Sequence, residues 1–469
     1  FFQGVFGQSY EYVRDRINSV AGSNFFSPDL IGVGAAQSKR VISAYSMESA
    51  LFSAFARLNY QWKMKYMLGL TYRLDGSSRF NRNHRYLGTP SASIGWRLSN
   101  ERFFREAFPF INQAKLRSSF GLSSKDGNNS YYGAQATYKL NTLTTDGGLN
   151  YLQMSQPGNE NLNWEHTFTW NVGLDAEALK SRIKLTLDYY YKKTTNMLFS
   201  SNLPLYTGYT KENQNIADMM NTGFDLQIIS DNIVSKNFQW QTIFNISSAT
   251  NKILKLNFEG NQLDELNSSF KYYQEGKAAA QWYLHRWIGV DPESGNPLWG
   301  YADGSVSTAP PASQNATSQL NKFVYGTAMP TVYGSITNSF SYRNFELDIF
   351  FNYALGSHMM NSTRATLLTY TQEANNLSSE IMNLWQLPGQ KTDIPKLKNT
   401  SIIGAYDYTT SITSSRFLEN NSYIRLKTLT LAYRFPQIWL KRSKLCRQLR
   451  LYFTATNLFT LTKYSGLDP

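Results

Sequence analysis

The chain has 469 residues and a formal net charge of +13, from 46 Lys and Arg against 33 Asp and Glu. Aromatic residues make up 15% of it, yet its mean hydropathy is only -0.41, so the aromatics stand singly among polar residues and not in apolar runs. No stretch approaches the ~20 apolar residues of a spanning helix, the single Cys446 excludes an internal disulfide or a CxxC site, and the dispersed positive charge, with no run of five Lys or Arg, argues against a nucleic-acid groove.

Read in chain order, alternation of apolar and polar residues predicts strands over 1–12, 50–61, 64–75, 90–98, 114–122, 164–175, 182–192, 222–230, 237–247, 331–342, 345–354, 422–435 and 448–458. In the third of these, Tyr66, Leu68, Leu70, Tyr72 and Leu74 alternate with Met67, Gly69, Thr71, Arg73 and Asp75. In the sixth, Phe168, Trp170 and Val172 alternate with Thr167, Thr169 and Asn171. Successive strand side chains point to opposite faces, so each segment has one greasy and one wet surface. In 422–435 the phase slips between Leu426 and Leu429, which predicts a bulge near Lys427 or Thr428. Segment 99–113 reads as a small helix with Phe103 and Phe104 at the rim of the sheet. A further hairpin is possible at 281–302, around the turn-like DPESGN. It contributes two strands or none, which gives thirteen or fifteen in all.

The connections are uneven. Short turns are predicted at Gln61–Lys63, 176–181, 231–236, Arg343–Asn344 and 436–447, and long loops at 13–47, 123–162, 194–218 and 355–420. Walking up and down the strands puts the turns at one end and the long loops at the other. A soluble sandwich prefers short loops at both ends and a core face without Arg or Asp. Short turns opposite long loops instead fit an all-β, antiparallel transmembrane barrel whose greasy face meets lipid and whose wet face meets an aqueous lumen.

Several ordered motifs then become recognisable: RLDGSSRF (73–80), PSASIGWRLSNERFF (90–104), INQAKLRSSFG (111–121), NENLNWEHTFTWNVGLD (159–175), IKLTLDYYYKKTTNML (183–198), NTGFDLQI (221–228), GVDPESGNPLW (289–299), YIRLKTLTLAYRFP (423–436) and ATNLFTLTKYSGLDP (455–469). Together they resemble the SusC/RagA family of TonB-linked outer-membrane transporters, in the right order from about residue 40 onward. The resemblance implies a barrel of about 22 strands around a plug, located in the outer membrane and surrounded by its lipid. It also implies energy from the TonB–ExbB–ExbD complex, a SusD-like surface lipoprotein as lid, and an oligosaccharide or oligopeptide as cargo. Signal peptide, N-terminal domain, TonB box, plug, first strands and last strand are not found in residues 1–469, so the chain is expected to be the C-terminal part of such a barrel.

No catalytic motif is present: HExxH, GxSxG, the P-loop and cysteine pairs are all missing from the sequence. His84, His166, His285 and His358 are dispersed, no metal or cofactor is implied, and DPESGN lacks the acidic spacing of a calcium loop. Arg73, Asp75, Arg97, Lys115, Arg117, Arg182 and Lys184 fall on the wet face and are expected to line the lumen, as plug contacts or as a solvated wall. Tyr131, Tyr132, Tyr138, Tyr206 and Tyr209 lie in long loops, where a flat ring with a hydroxyl suits cargo contact. Aromatics are equally abundant elsewhere in the chain. The competing classes are a passive porin or adhesin, a SusC-like barrel recruited into another assembly, and a soluble carbohydrate-binding protein or hydrolase.

Overall fold

The computed structural model describes all residues except 28, 30–31, 127–130, 143–149, 204, 210, 257–261, 265–270, 310–320, 369–375, 397–413, 439, 441–445, 447 and 469. Its main feature is one antiparallel sheet of thirteen strands in which sheet order follows chain order. The strands are β1 (Phe2–Phe25), β2 (Ala36–Trp62), β3 (Tyr66–Ser77), β4 (Tyr86–Trp96), β5 (Ile111–Lys125), β6 (Glu165–Ala178) and β7 (Ile183–Asn202). They continue with β8 (Lys211–Val234), β9 (Phe238–Leu256), β10 (Val332–Tyr342), β11 (Phe345–Leu355), β12 (Tyr423–Arg434) and β13 (Arg450–Thr462). Each overlaps one predicted strand. The segment 281–302 adds none: Gln281–Val290 pairs with Pro297–Gly300 and Lys322–Thr327 in a separate loop sheet.

The chain divides into two compact units, the first comprising 1–100, 116–172 and 191–219 and the second 101–115, 173–190 and 220–469. In the first unit the register places Leu68 opposite Tyr60 and Ile94, and Leu70 opposite Leu58 and Ala92. These apolar residues share one face, and it is the exposed one: Leu70 is 41%, Tyr72 54% and Ile94 58% exposed. On the opposite face Ser53 is 1% and Asp75 6% exposed. The second unit repeats the arrangement, with Phe345, Tyr433 and Leu451 in register on one face and exposed Phe345, Leu431 and Phe453 among them. A sheet in water covers its apolar face with a second layer. Here the leucines and aromatics face outward in both units.

Local chemistry sets the ends of the strands. Lys63 and Met64, both at positive φ, close β2 onto β3, and the Lys65 N–H donates to the Trp62 carbonyl at 2.9 Å. Arg343, at φ 52°, turns β10 into β11, so that Tyr342 and Phe345 pair directly. The slip in β12 is a bulge at Lys427, skipped in the pairing with β11 and again with β13. Gly334 faces Tyr353, whose hydroxyl donates to the Asn245 carbonyl at 3.0 Å. A Cβ at Gly334 would stand 2.1 Å from that same carbonyl oxygen, so only glycine admits the ring. The helix α1 (Arg102–Ala107) forms where expected, with Phe103 exposed and Phe104 packed on Phe108 at 5.1 Å.

Two predicted loops are corrected. Most of 13–47 is strand, because β1 and β2 remain paired from Phe2↔Tyr60 to Phe25↔Ala36. Most of 194–218 likewise belongs to β7 and β8. Twenty-four residues at ~3.3 Å each far exceed an apolar band ~25 Å tall. Beyond that band both faces are wet, and the two-residue alternation that reveals a strand disappears. Parts of 123–162, 355–420 and 436–447 lie outside the described residues.

Among the described residues, the clusters of buried hydrophobic side chains lie in the loops. In the first unit Phe80, Ala134, Leu162 and Trp164 form a cluster, with the Phe80 and Trp164 rings 5.0 Å apart. In the second, Trp282, Leu284, Met360, Ala365, Leu368, Ile394 and Phe417 build a larger one, joining the described parts of 271–327 and 356–418 into one packed module. Burying a side chain of this size contributes ~1.5–3 kcal/mol, enough to hold two long connections together.

Candidate functional site

The wet face and the loops above it are the functional candidates. In the first unit, β2 and β3 run in register so that Ser53 pairs with Asp75 and Phe55 with Arg73. The Arg73 Nε donates to Asp75 Oδ1 at 2.7 Å, Arg73 Nη2 to Ser53 Oγ at 2.9 Å, and Ser53 Oγ to Asp75 Oδ1 at 2.5 Å. The buried carboxylate is thus held by a cation and a hydroxyl at once. Asp75→Ala removes both bonds and is expected to lower stability by ~1–3 kcal/mol, with Asp75→Asn costing less; urea unfolding of the refolded protein measures the difference.

Further up, the Ser77 hydroxyl donates to Asp126 at 3.2 Å and Arg79 pairs with the same carboxylate at 3.5 Å. Arg79 also lies over the Tyr131 ring at 5.0 Å. Tyr131 donates its hydroxyl to the Asp15 carboxylate of β1, which holds the phenol pKa above its usual value. The Tyr132 hydroxyl accepts from the Glu48 N–H of β2 at 3.1 Å. Both tyrosines therefore tie a loop to the middles of β1 and β2, a contact that the sequence pattern gives no means to foresee. Tyr209 donates to the Met154 sulfur at 2.9 Å. Tyr138 and Tyr206, 60% and 90% exposed, keep their rings available to a ligand.

The remaining predicted wall residues are spread out. Arg97 directly follows β4 and Arg117 lies in β5 opposite Gly95, both partly buried in the first unit. In the second unit Lys115 is partly buried, while Lys184 and Arg182 are exposed, the latter donating to the Asn232 carbonyl at 3.4 Å. Of the predicted set, Arg73 and Asp75 are brought together as an ion pair. Glu346, absent from that set, binds Arg450 at 2.9 Å and also pairs with Arg434, so two cations share one carboxylate on the wet face of β11–β13.

The loop module of the second unit is held by polar contacts as well as by its core. Glu419 binds the Ser465 N–H at 2.7 Å, the Ser465 hydroxyl at 2.8 Å and Asn361 at 3.2 Å. Burial pushes this carboxyl upward, but those donors and Arg364 outweigh it and hold its pKa below the ordinary value. Arg364 bridges Glu419 to Glu380, at 3.4 and 2.9 Å. Arg416 lies over both Trp287 and Phe417, and burial lowers its pKa to about 10. DPESGN is a turn: Asp291 N–H donates to the Asn296 carbonyl and Gly295 N–H to the Asp291 carbonyl, each at 2.8 Å. Among the described residues no three His, Cys, Asp or Glu gather as a metal site.

An apolar face turned outward, a hydrogen-bonded polar face and folded loops above one end define the wall of an outer-membrane β-barrel. The chain belongs to the TonB-dependent receptor-like β-barrel family, whose model matches residues 1–458. It is 30% identical to TonB-dependent receptor P3 of Formosa agariphila, over 99% of this chain and 46% of that protein. It is 28% identical to TonB-dependent receptor SusC of Bacteroides thetaiotaomicron, over 91% of this chain and 42% of the relative. The solved structure of the RagAB peptide importer in its closed-closed state superposes with a TM-score of 0.82 at 25% identity, covering 100% of this chain and 50% of that one. The SusC/RagA resemblance and the outer-membrane location are thereby established, in a family of receptors and transporters, not enzymes. The chain spans about half the length of the relatives it matches.

Proposed function

We propose that the chain is the C-terminal wall of a TonB-dependent importer that takes up a nutrient oligomer, with oligosaccharide the first candidate and oligopeptide the second. The carrying observation is the two-faced wall beneath loops that are themselves folded: such loops form a fixed platform for cargo and for a SusD-like lipoprotein lid. In this reading the rest of the protein supplies the remaining strands of a barrel of about 22, the plug and the TonB box. Arg73, Asp75, Arg97, Lys115, Arg117, Arg182 and Lys184 then serve the plug or the aqueous path, and Tyr138 and Tyr206 the cargo. The importer of peptides among the structural neighbours supports the second cargo class.

Uptake of labelled oligosaccharides and oligopeptides by cells carrying the full-length gene tests the proposal. Import of one class is expected to depend on this gene and to stop when TonB is deleted. Uptake that survives loss of TonB indicates a passive pore and overturns it.

A further inference from the structure

The lipid-facing wall of the first unit is not smooth. Two hollows lie one above the other on consecutive same-face positions of β3. The lower, of ≈ 420 Å³, is lined by Tyr60, Tyr66, Leu68, Ile94, Leu116 and Val172. The upper, of ≈ 720 Å³, is lined by Phe6, Ala56, Leu70, Tyr72, Ala92 and Phe120. Their cause is residue size. Ala92 sits in register between Leu70 and Phe120, and Ser118 beside Ile94, so small side chains form a floor between larger walls. The Ser118 hydroxyl accepts from Trp170 Nε1 at 3.2 Å.

The six residue steps from Tyr66 to Tyr72 span ~20 Å along the strand and, at a tilt of ~40°, ~15 Å along the membrane normal. That is half of a hydrocarbon core ~30 Å thick, the depth of one leaflet. At the short-turn end the trough opens beneath an aromatic stack. Trp62 and Tyr66 lie 5.7 Å apart, Tyr66 and Trp96 6.3 Å apart, with interplanar angles of 27° and 17°. Lys63 Nζ stands 4.8 Å over the Trp62 ring. Between Gln61 and Asn100 the only acidic residue is Asp75, at the far end of β3, although Glu101 follows directly.

We propose that this trough is a binding site for a single glycerophospholipid of the periplasmic leaflet, one acyl chain lying along β3–β5 and its phosphate meeting the cationic rim at Lys63. Charge complementarity and continuity with the membrane face select this occupant. Wetting the hollows would expose their lining at the cost of the hydrophobic effect, and a protein partner would have to displace lipid along their whole length.

Native mass spectrometry of the full-length protein, released from non-ionic detergent after titration with phosphatidylglycerol or phosphatidylethanolamine, tests this. One retained phospholipid is expected, with phosphatidylglycerol preferred. Ile94→Trp, which fills the lower hollow, is expected to reduce retention at least tenfold, whereas Leu431→Trp on the exposed face of β12 leaves it unchanged. Lys63→Gln is expected to abolish the preference for the anionic headgroup. Should Ile94→Trp fail to fold, judged by heat-modifiable migration, Ala92→Leu occupies the upper hollow instead. Absence of any retained phospholipid, retention of lipopolysaccharide in its place, or equal losses from the Ile94 and Leu431 variants would overturn the assignment.

Discussion

Leu70→Arg is expected to destabilise the barrel by ~2–4 kcal/mol, while Thr71→Arg, one residue further on, costs less than ~1 kcal/mol. Both residues belong to β3, and they differ in face alone. Leu70 lies midway along the apolar series from Tyr66 to Leu74, 41% exposed. Its surroundings there are hydrocarbon, so a guanidinium at that depth must be dehydrated or must drag water inward. Thr71 points to the polar side, in register with Arg57 and Ser91, where a charge keeps its hydration. Folding of each variant into detergent or lipid vesicles, followed by urea titration, measures the difference. Equal penalties for the two would mean that the exposed leucines and tyrosines do not face lipid.

How much of this was legible in the sequence follows from the same physics. Where one face meets lipid and the other water, alternation is forced on every residue, so all thirteen wall strands could be located. The bulge at Lys427 was legible for the same reason, since a single inserted residue reverses the phase. Once β1, β2, β7 and β8 rise beyond the membrane, neither face is constrained, and paired strand reads as loop. The loop module was hidden for another reason. Its core joins Trp282 and Leu284 to Phe417, more than a hundred residues away in sequence, and no local period announces such a contact. The same holds for the candidate site. Alternation put Arg73 and Asp75 on one face, but their ion pair and the anchoring of Tyr131 by Asp15, which spans 116 residues, required the fold. Tyr131 and Tyr132 carry the composition expected of a cargo loop and yet secure it to the wall.

Acidification is expected to loosen that loop module, and His285 is the reason. The residue lies on Gln281–Val290, 2% exposed, paired in register with Lys322 and bridged to Ser414. Among the described residues, its Nδ1 is buried with no hydrogen-bond partner. Burial and the nearby Lys322 charge lower its pKa to about 4, against a small opposing effect of the Asn321 backbone. Protonation in the folded state would place a second cation beside Lys322 in a buried site. The unfolded imidazole, with a pKa near 6.5, takes up its proton first as the pH falls. The stabilising contribution is therefore complete above about pH 6.5 and is lost progressively down to about pH 4, for a total of about 3 kcal/mol. Hydrogen exchange of the 281–300 and 356–368 segments at pH 7.5 and pH 4.5 measures this, with protection falling at the lower pH more steeply than in β3. His285→Gln, which has no titrating proton, is expected to remove most of the difference. Unchanged protection between the two pH values in the unsubstituted protein would show that the imidazole is not buried in its neutral form.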